Sequence, residues 1–451
     1  MYALTLWTDG TGGIALHGPS VVLPVEGAVR DPDPPLLANG RVEEIVTVGL
    51  KGDGIQLWQR TLDEQLSLAR EGRRKVWLQL QLSAGVTALS SPVVDGWIEL
   101  LGHHTEARSW LYQGLKLHLV REDWWQDSQR TLKLQNQNGV DLWSGLTVYN
   151  HKDGTIGHEN FVDIKASELP GSAGSPATVR VEVSATPARR VQDILIAGGA
   201  DLWDATSSLN NVLEGESGTA GTGCTANSIQ ADGGASGGSF RRMDWTATSE
   251  IQLWKWDLIP SRLGYLMGKA YRPVVRLHNL ATTAGIYLRW RVARRDGAAG
   301  GLEQSGQVRV STNRRMIVTP AVNLPVLVLG GGPYETLTLE LWAECVTVGT
   351  KRLDVDFTQL MPVEEWAHLQ AIGGTNEGYA LMVNGDRGQV YSELVVGGGS
   401  QAVSHALVGR MIHLQPGKNA RIYFLWETAA GMPVDETLKV LVYTKARYRT
   451  A

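Results

Sequence analysis

Val76-Trp77-Leu78-Gln79-Leu80-Gln81-Leu82 decides the reading of the chain: Val76, Leu78, Leu80 and Leu82 share one side and Gln79 and Gln81 point to the other. That period of two is the signature of a half-buried strand. Upstream, Thr61 with Glu64 three positions later forms a capping box for a helix whose face is Leu62, Leu66 and Ala69, with Gly72 as a left-handed stop. Downstream, Trp97 to Leu101 and Leu115-Lys116-Leu117-His118-Leu119 alternate again, and the run closes at Arg121-Glu122-Asp123-Trp124-Trp125. From 201 onward the same period returns at Ile251–Leu258, Ile286–Val292, Leu337–Trp342, Leu353–Phe357 and Leu438–Tyr443, separated by glycine clusters. Such spacing belongs to antiparallel sandwiches. Pro362–Leu369, with Glu364 and Glu365 in its first turn, reads as a helix.

Composition agrees with a β protein of several domains. The 451 residues carry 52 glycines and 16 tryptophans against 4 phenylalanines, which fits many turns and large flat side chains. With 42 basic and 46 acidic side chains the net charge is −4, and the basic pairs Arg241-Arg242, Arg294-Arg295 and Arg314-Arg315 are scattered, so no nucleic-acid partner is expected. No membrane span is expected, because the most apolar stretch, 316–332, is broken by Pro320 and Pro325. The first 18 residues lack a basic, apolar leader, so synthesis in the cytoplasm without signal peptide is expected. Cys224 and Cys345 lie far apart, without metal-ligand spacing, and read as inert thiols.

The strand–helix–strand order around Leu62–Leu82, the extended strand Leu115–Val120 and the terminal Arg121 with Trp124-Trp125 make residues 1–126 similar to the hub domain of siphophage distal tail proteins. The resemblance implies a β-barrel flanked by a helix that assembles as a ring, usually hexameric, at a tail tip with other tail proteins. The chain departs from that family in lacking an aromatic-rich opening segment. A second resemblance runs through Glu214-Gly215-Glu216, the glycine-rich Asp232–Phe240, Leu253–Leu258 and Lys269–Arg276, which look like the opening strands of carbohydrate-binding jelly rolls. It implies a structural calcium, for which Glu214, Glu216 and Asp232 are the candidates, and contact with cell-surface glycans.

The fold expected is therefore mainly β: an N-terminal β-barrel-like hub domain with one helix (1–126), connecting strands (127–200), and one or two antiparallel jelly-roll β-sandwiches (201–360 and 361–451). Tryptophans are the natural sugar contacts, since an exposed indole stacks on a pyranose. Trp203 with Asp204, Trp245 beside Asp244, and Trp290 between Arg289 and Arg291 are the candidates, whereas Trp254 and Trp256 read as core.

Gly234-Ala235-Ser236-Gly237-Gly238 fits a nucleophile-elbow pattern but lacks the strand-to-helix context, and Gly218–Gly223 lacks the ending of a phosphate loop, so both read as loops. His103-His104 and His151 with His158 lack convergent ligands. The function expected is a structural virion or phage-like tail protein that oligomerises at the tail tip and presents glycan-binding sandwiches, without turnover. The alternatives are a stand-alone carbohydrate-binding or adhesive protein, and a tail polysaccharide-cleaving enzyme using Asp354, Asp356, Glu364 or Glu365.

Overall fold

The computed structural model describes residues 2–449 apart from 23, 32–33, 107–109, 137–138, 141–142, 151–158, 184–189, 200–210, 259–265, 295–302, 327–336, 377, 387, 395–399, 402–404 and 429–436. The chain is mainly β, in several antiparallel sheets, as the alternating segments imply. It divides into two units: residues 1–130 with 170–175 and 445–451, and residues 131–169 with 176–444. No helix among the described residues is long and apolar enough to cross a membrane.

In the first unit the strands are β1 (Ala3–Thr8), β2 (Gly12–His17), β3 (Val25–Arg30), β4 (Arg41–Lys51), β5 (Val76–Gln81), β6 (Leu89–Glu106), β7 (Trp110–Glu122) and β8 (Trp125–Thr131), with helix α1 (Ile55–Arg70) between β4 and β5. The sheet runs β2-β1-β5-β6-β7-β4-β3, and its end strands β2 and β3 come within 8 Å of each other, so it curls toward a barrel. Along β5 the expected alternation holds: Val76, Leu78 and Leu80 are buried and face the helix residues Leu62, Leu66 and Ala69 in one core.

The helix begins six residues before Thr61, after Gly54 in the left-handed conformation. Thr61 is therefore no cap, and its hydroxyl donates instead to the Leu57 carbonyl inside the helix. The stop is as expected. Gly72, with φ 65°, donates to the Ala69 carbonyl while the Arg73 N–H reaches the Leu68 carbonyl, which closes the last turn.

The Arg121 and Trp124-Trp125 cluster closes the same core. The buried Arg121 donates to the fully buried Glu44 at 2.8–2.9 Å, Arg30 holds the other Glu44 oxygen, and both guanidiniums lie over the Trp125 ring, at 4.4 and 5.2 Å. The Glu44 carboxylate compensates the buried Arg121, while the second guanidinium, Arg30, keeps partial contact with solvent. Trp124 is covered by the Arg447 guanidinium at 3.6 Å, and Ser172 and Ala173 donate to the Arg447 carbonyl. Gly171 permits that approach, because a Cβ there would meet the same carbonyl at 2.4 Å.

Most of the stretch 127–200, expected as connecting strands, belongs to the second unit and builds sheets with the C-terminal strands. One sheet runs Leu146–Tyr149, Thr437–Tyr448, Thr178–Glu182, Tyr379–Asn384, Gln389–Leu394 and Ser400–Gln401. A second runs Gly139–Val140, Gln135–Asn136, Phe161–Ile164, Ala420–Thr428, Arg190–Gly199, Trp366–Asn376 and His405–Gly409. Their facing side chains form one core.

The segment 211–362 is inserted between two strands that are neighbours in the second sheet, with Ala197 opposite Trp366. It forms its own pair of sheets around Lys351–Pro362 and Leu337–Cys345, and their core also takes in Leu195, Ala197, Tyr423 and Leu425 of the second sheet. Pro362–Leu369 is not helical. Glu364 and Glu365 sit in a turn, and Trp366–Asn376 is a strand that sends Trp366 to one core and Ala367 and Leu369 to the other.

Cys224 and Cys345 are free thiols. The buried pair at Glu44 yields a direct expectation. Glu44→Ala strands two guanidiniums in the core of the first unit and should cost about 3–5 kcal/mol, read as a lowered urea midpoint, whereas Glu26→Ala at the surface should change it little.

Candidate assembly surface

Strands β6 and β7 form a hairpin longer than the core beneath it. At its base Gly96 faces inward, where a Cβ would lie 2.9 Å from the Leu66 side chain, and Ile98 packs against the core. Further out the same face carries Leu100, opposite the buried Leu115 yet 55% exposed. The other face carries Trp97 and Leu101, at 42% and 46% exposure. The apolar alternation thus continues where the described residues of the unit leave it exposed. Trp7, Leu57, Leu82, Val22, Val29, Leu36 and Val86 are further exposed apolar side chains of this unit.

Trp97 is held in place from below. Its indole stacks on the His118 ring at 4.7 Å with an interplanar angle of 7°. His118 lies between two carboxylates, with Nδ1 2.7 Å from Glu43 and Nε2 3.0 Å from Glu99. Lys116 reaches Glu99 at 4.0 Å. Three strands therefore fix the orientation of one exposed indole, at a place where charge and apolar area adjoin. The side chains of His103 and His104, further along β6, lie outside the described residues, as do His151 and His158.

The inserted sandwich places the expected sugar contacts elsewhere. Trp203 and Asp204 fall outside the described residues. Trp245 and Trp290 are fully buried and have no face open to a sugar. Trp290 instead continues an aromatic row, 5.7 Å from Trp256, which stands 6.1 Å from Trp254. Trp254 and Trp256 are core, as their pattern suggests, and the Trp256 indole donates to the Glu214 carbonyl at 2.8 Å.

Arg289 and Arg291 do form a cationic pair, but Glu250 bridges them and the Arg291 guanidinium stacks on Trp342 at 3.9 Å. The Gly218–Gly223 run is a packing strip: a Cβ at Gly218 would lie 2.1 Å from the Trp254 indole nitrogen.

The carboxylates also take structural places. Asp354 and Asp356, the first acids of the hydrolase alternative, are both buried. Arg242 grips Asp354 with two bonds of 2.8 and 2.9 Å, and Asn279 adds one of 2.7 Å. Burial would raise the Asp354 carboxyl, yet these donors outweigh it and hold it below the usual range.

Asp356 accepts the Ser236 N–H at 2.7 Å, and the Ser236 hydroxyl donates to Glu214 at 3.1 Å. Ser236 is thus a buried pin for the glycine loop, held between two carboxylates. Glu216 adjoins this pin, and burial raises its carboxyl. Asp232 lies apart on the surface, where the Gly234 N–H and His278, 3.1 Å away, hold its carboxyl low. The three calcium candidates do not converge, and no metal-ligating group of three or more appears among the described residues. Glu364 is exposed and Glu365 half-buried in their turn, and burial pushes the Glu365 carboxyl up to about 7.

No protein-family model and no curated protein matches the chain. Among solved structures it is similar to the crystal structure of SPP1 Dit (gp 19.1), described as a paradigm of hub adsorption apparatus in Gram-positive infecting phages, at 9% identity and a TM-score of 0.28 over 98% of both chains. It is also similar to the structure of infectious bursal disease virus Gx strain, at 9% identity and a TM-score of 0.15, over 71% of this chain and 79% of that one. Both scores lie below the level that marks a shared fold.

The Asp356 environment has a pH consequence. Burial, only partly offset by Arg276, the Ser236 N–H and Arg315 and reinforced by Glu216, pushes its carboxyl up to about 7. A raised value in the folded state means a stability contribution that is complete below about pH 4 and is lost as pH rises through 7. Asp356→Asn, neutral throughout, should therefore gain on the parent between pH 4 and 8, by roughly 4 kcal/mol, in thermal melts run in parallel. A constant difference across that range contradicts the assignment.

Proposed function

We propose that the chain is a structural assembly protein of a phage-like tail, whose first unit self-associates into a ring and joins other tail proteins. The observation that carries the reading is the β6–β7 hairpin, which leaves Trp97, Leu100 and Leu101 exposed on both of its faces beyond the core. Large apolar side chains grouped in this way mark an interaction site. A ring of identical subunits supplies a cover for such an arm, because a heterologous contact that closes on itself satisfies every copy alike. The strand–helix–strand order around β5 and the Arg121–Trp125 closure are the features in which residues 1–126 resemble distal tail hubs.

Glycan recognition by the inserted sandwich has lost two of its tryptophan candidates to the core, so it is no part of the reading. The hydrolase alternative loses Asp354 and Asp356 as exposed acids in the same way.

Light scattering after size exclusion tests the proposal. The parent chain should elute as a closed oligomer at micromolar concentration, and the combined substitution of Trp97, Leu100 and Leu101 by Asp should abolish the ring, leaving nothing larger than a dimer, with an unchanged melting transition. A monomeric parent chain overturns it.

A further inference from the structure

The second unit offers one sheet edge of a different kind. Ala226–Ala231 pairs with Ser239–Trp245 in unbroken register, from Ala226 opposite Asp244 to Ala231 opposite Ser239. Among the described residues no strand pairs with its other side. The remaining edge strands of the second unit are two to five residues long, and short edges are one of the standard protections against unwanted pairing. Charge, proline and bulges are the others. Thr225–Ala231 contains no charged residue and no proline, and its register has no bulge. Alternate residues of such an edge turn their backbone donors and acceptors outward, so half of these six offer open groups, with the Gln230 amide resting on the Ile229 carbonyl at 3.2 Å.

The side chains point to the occupant. Ile229 stands opposite Arg241, which pairs in turn with the core residue Val355, so Ile229 lies on the inner face of its sheet. It is nevertheless 53% exposed, at the open flank of the sandwich. On the outer face the Gln230 amide donates to the Ser228 hydroxyl at 2.9 Å.

When a strand pairs antiparallel with its own copy about a two-fold axis normal to the sheet, one residue meets its own image. Any charge near that centre would meet a like charge, so an uncharged strand is the condition for self-pairing, and this strand meets it. Centring the axis on Ile229 buries the exposed isoleucine against Ile229 of the partner subunit. It also sets Ser228 beside the partner's Gln230, reproducing between copies the hydrogen bond already present within one.

We propose that Ala226–Ala231 is a second, two-fold interface, at which another copy of this chain adds its own Ala226–Ala231 antiparallel and in register at Ile229. The contact is independent of the apolar hairpin of the first unit.

Cysteine scanning on the full chain tests it, in a Cys224→Ser, Cys345→Ser background with diamide as oxidant. Ile229→Cys places two thiols face to face, within the Cβ spacing a disulfide accepts. Ala226→Cys, six residues from its own image, keeps them about 20 Å apart. Cross-linked dimer should form on the order of tenfold or more faster at 229 than at 226. Equal rates at the two positions, or no dimer at either, overturn the proposal. Repeating Ile229→Cys with the three aspartates in the hairpin separates the two readings: dimer that persists there shows the edge contact standing without the ring, and dimer that vanishes shows that it has no independent existence.

Discussion

The second unit depends on strands buried from both sides. All nine residues of Ala420–Thr428 are buried, with Ile422, Phe424 and Trp426 in one core and Tyr423 and Leu425 in the other. Arg190–Gly199 does the same with Ile194 and Ile196 against Leu195 and Ala197. Such strands cannot slip by one residue without exchanging two complete sets of side chains between differently shaped spaces. The inserted sandwich and the frame that carries it are therefore locked to each other through a shared central layer.

Two of the carboxylates that this layering encloses are matched over long sequence separations. Asp163 receives two bonds from Arg421, at 2.6 and 2.8 Å, and Glu427 accepts the backbone N–H groups of Arg315 and Met316. Each is satisfied, so the cost of enclosing charge is offset by geometry that only the correct register provides. These groups give specificity more than stability.

Half-buried strands were legible because alternation encodes them, as in β5. The two-faced strands were not, since Ile422-Tyr423-Phe424-Leu425-Trp426 is a continuous apolar run without period. The helix face was readable and its start was not: the signal lay in Gly54, just ahead of Ile55, rather than in the later Thr61 and Glu64. Trp245 and Trp290 carry a sharper lesson. Charged neighbours at Asp244, Arg289 and Arg291 suggested an exposed surface, but on a strand adjacent residues face opposite ways, so charges on either side of an indole place it inward. Arg242 with Asp354, more than a hundred positions apart, has no local signature at all.

The way the insert leaves and rejoins its frame has a mechanical consequence. Both of its attachment points belong to adjacent antiparallel strands, with Ala197 opposite Trp366. A pull on the far end of the insert would load those two strands together, along their length, and would be resisted by a row of backbone hydrogen bonds strained in shear and by side chains wedged on two sides. Tension of this kind is spread over many bonds at once, so the anchorage would yield as a block and not unzip bond by bond.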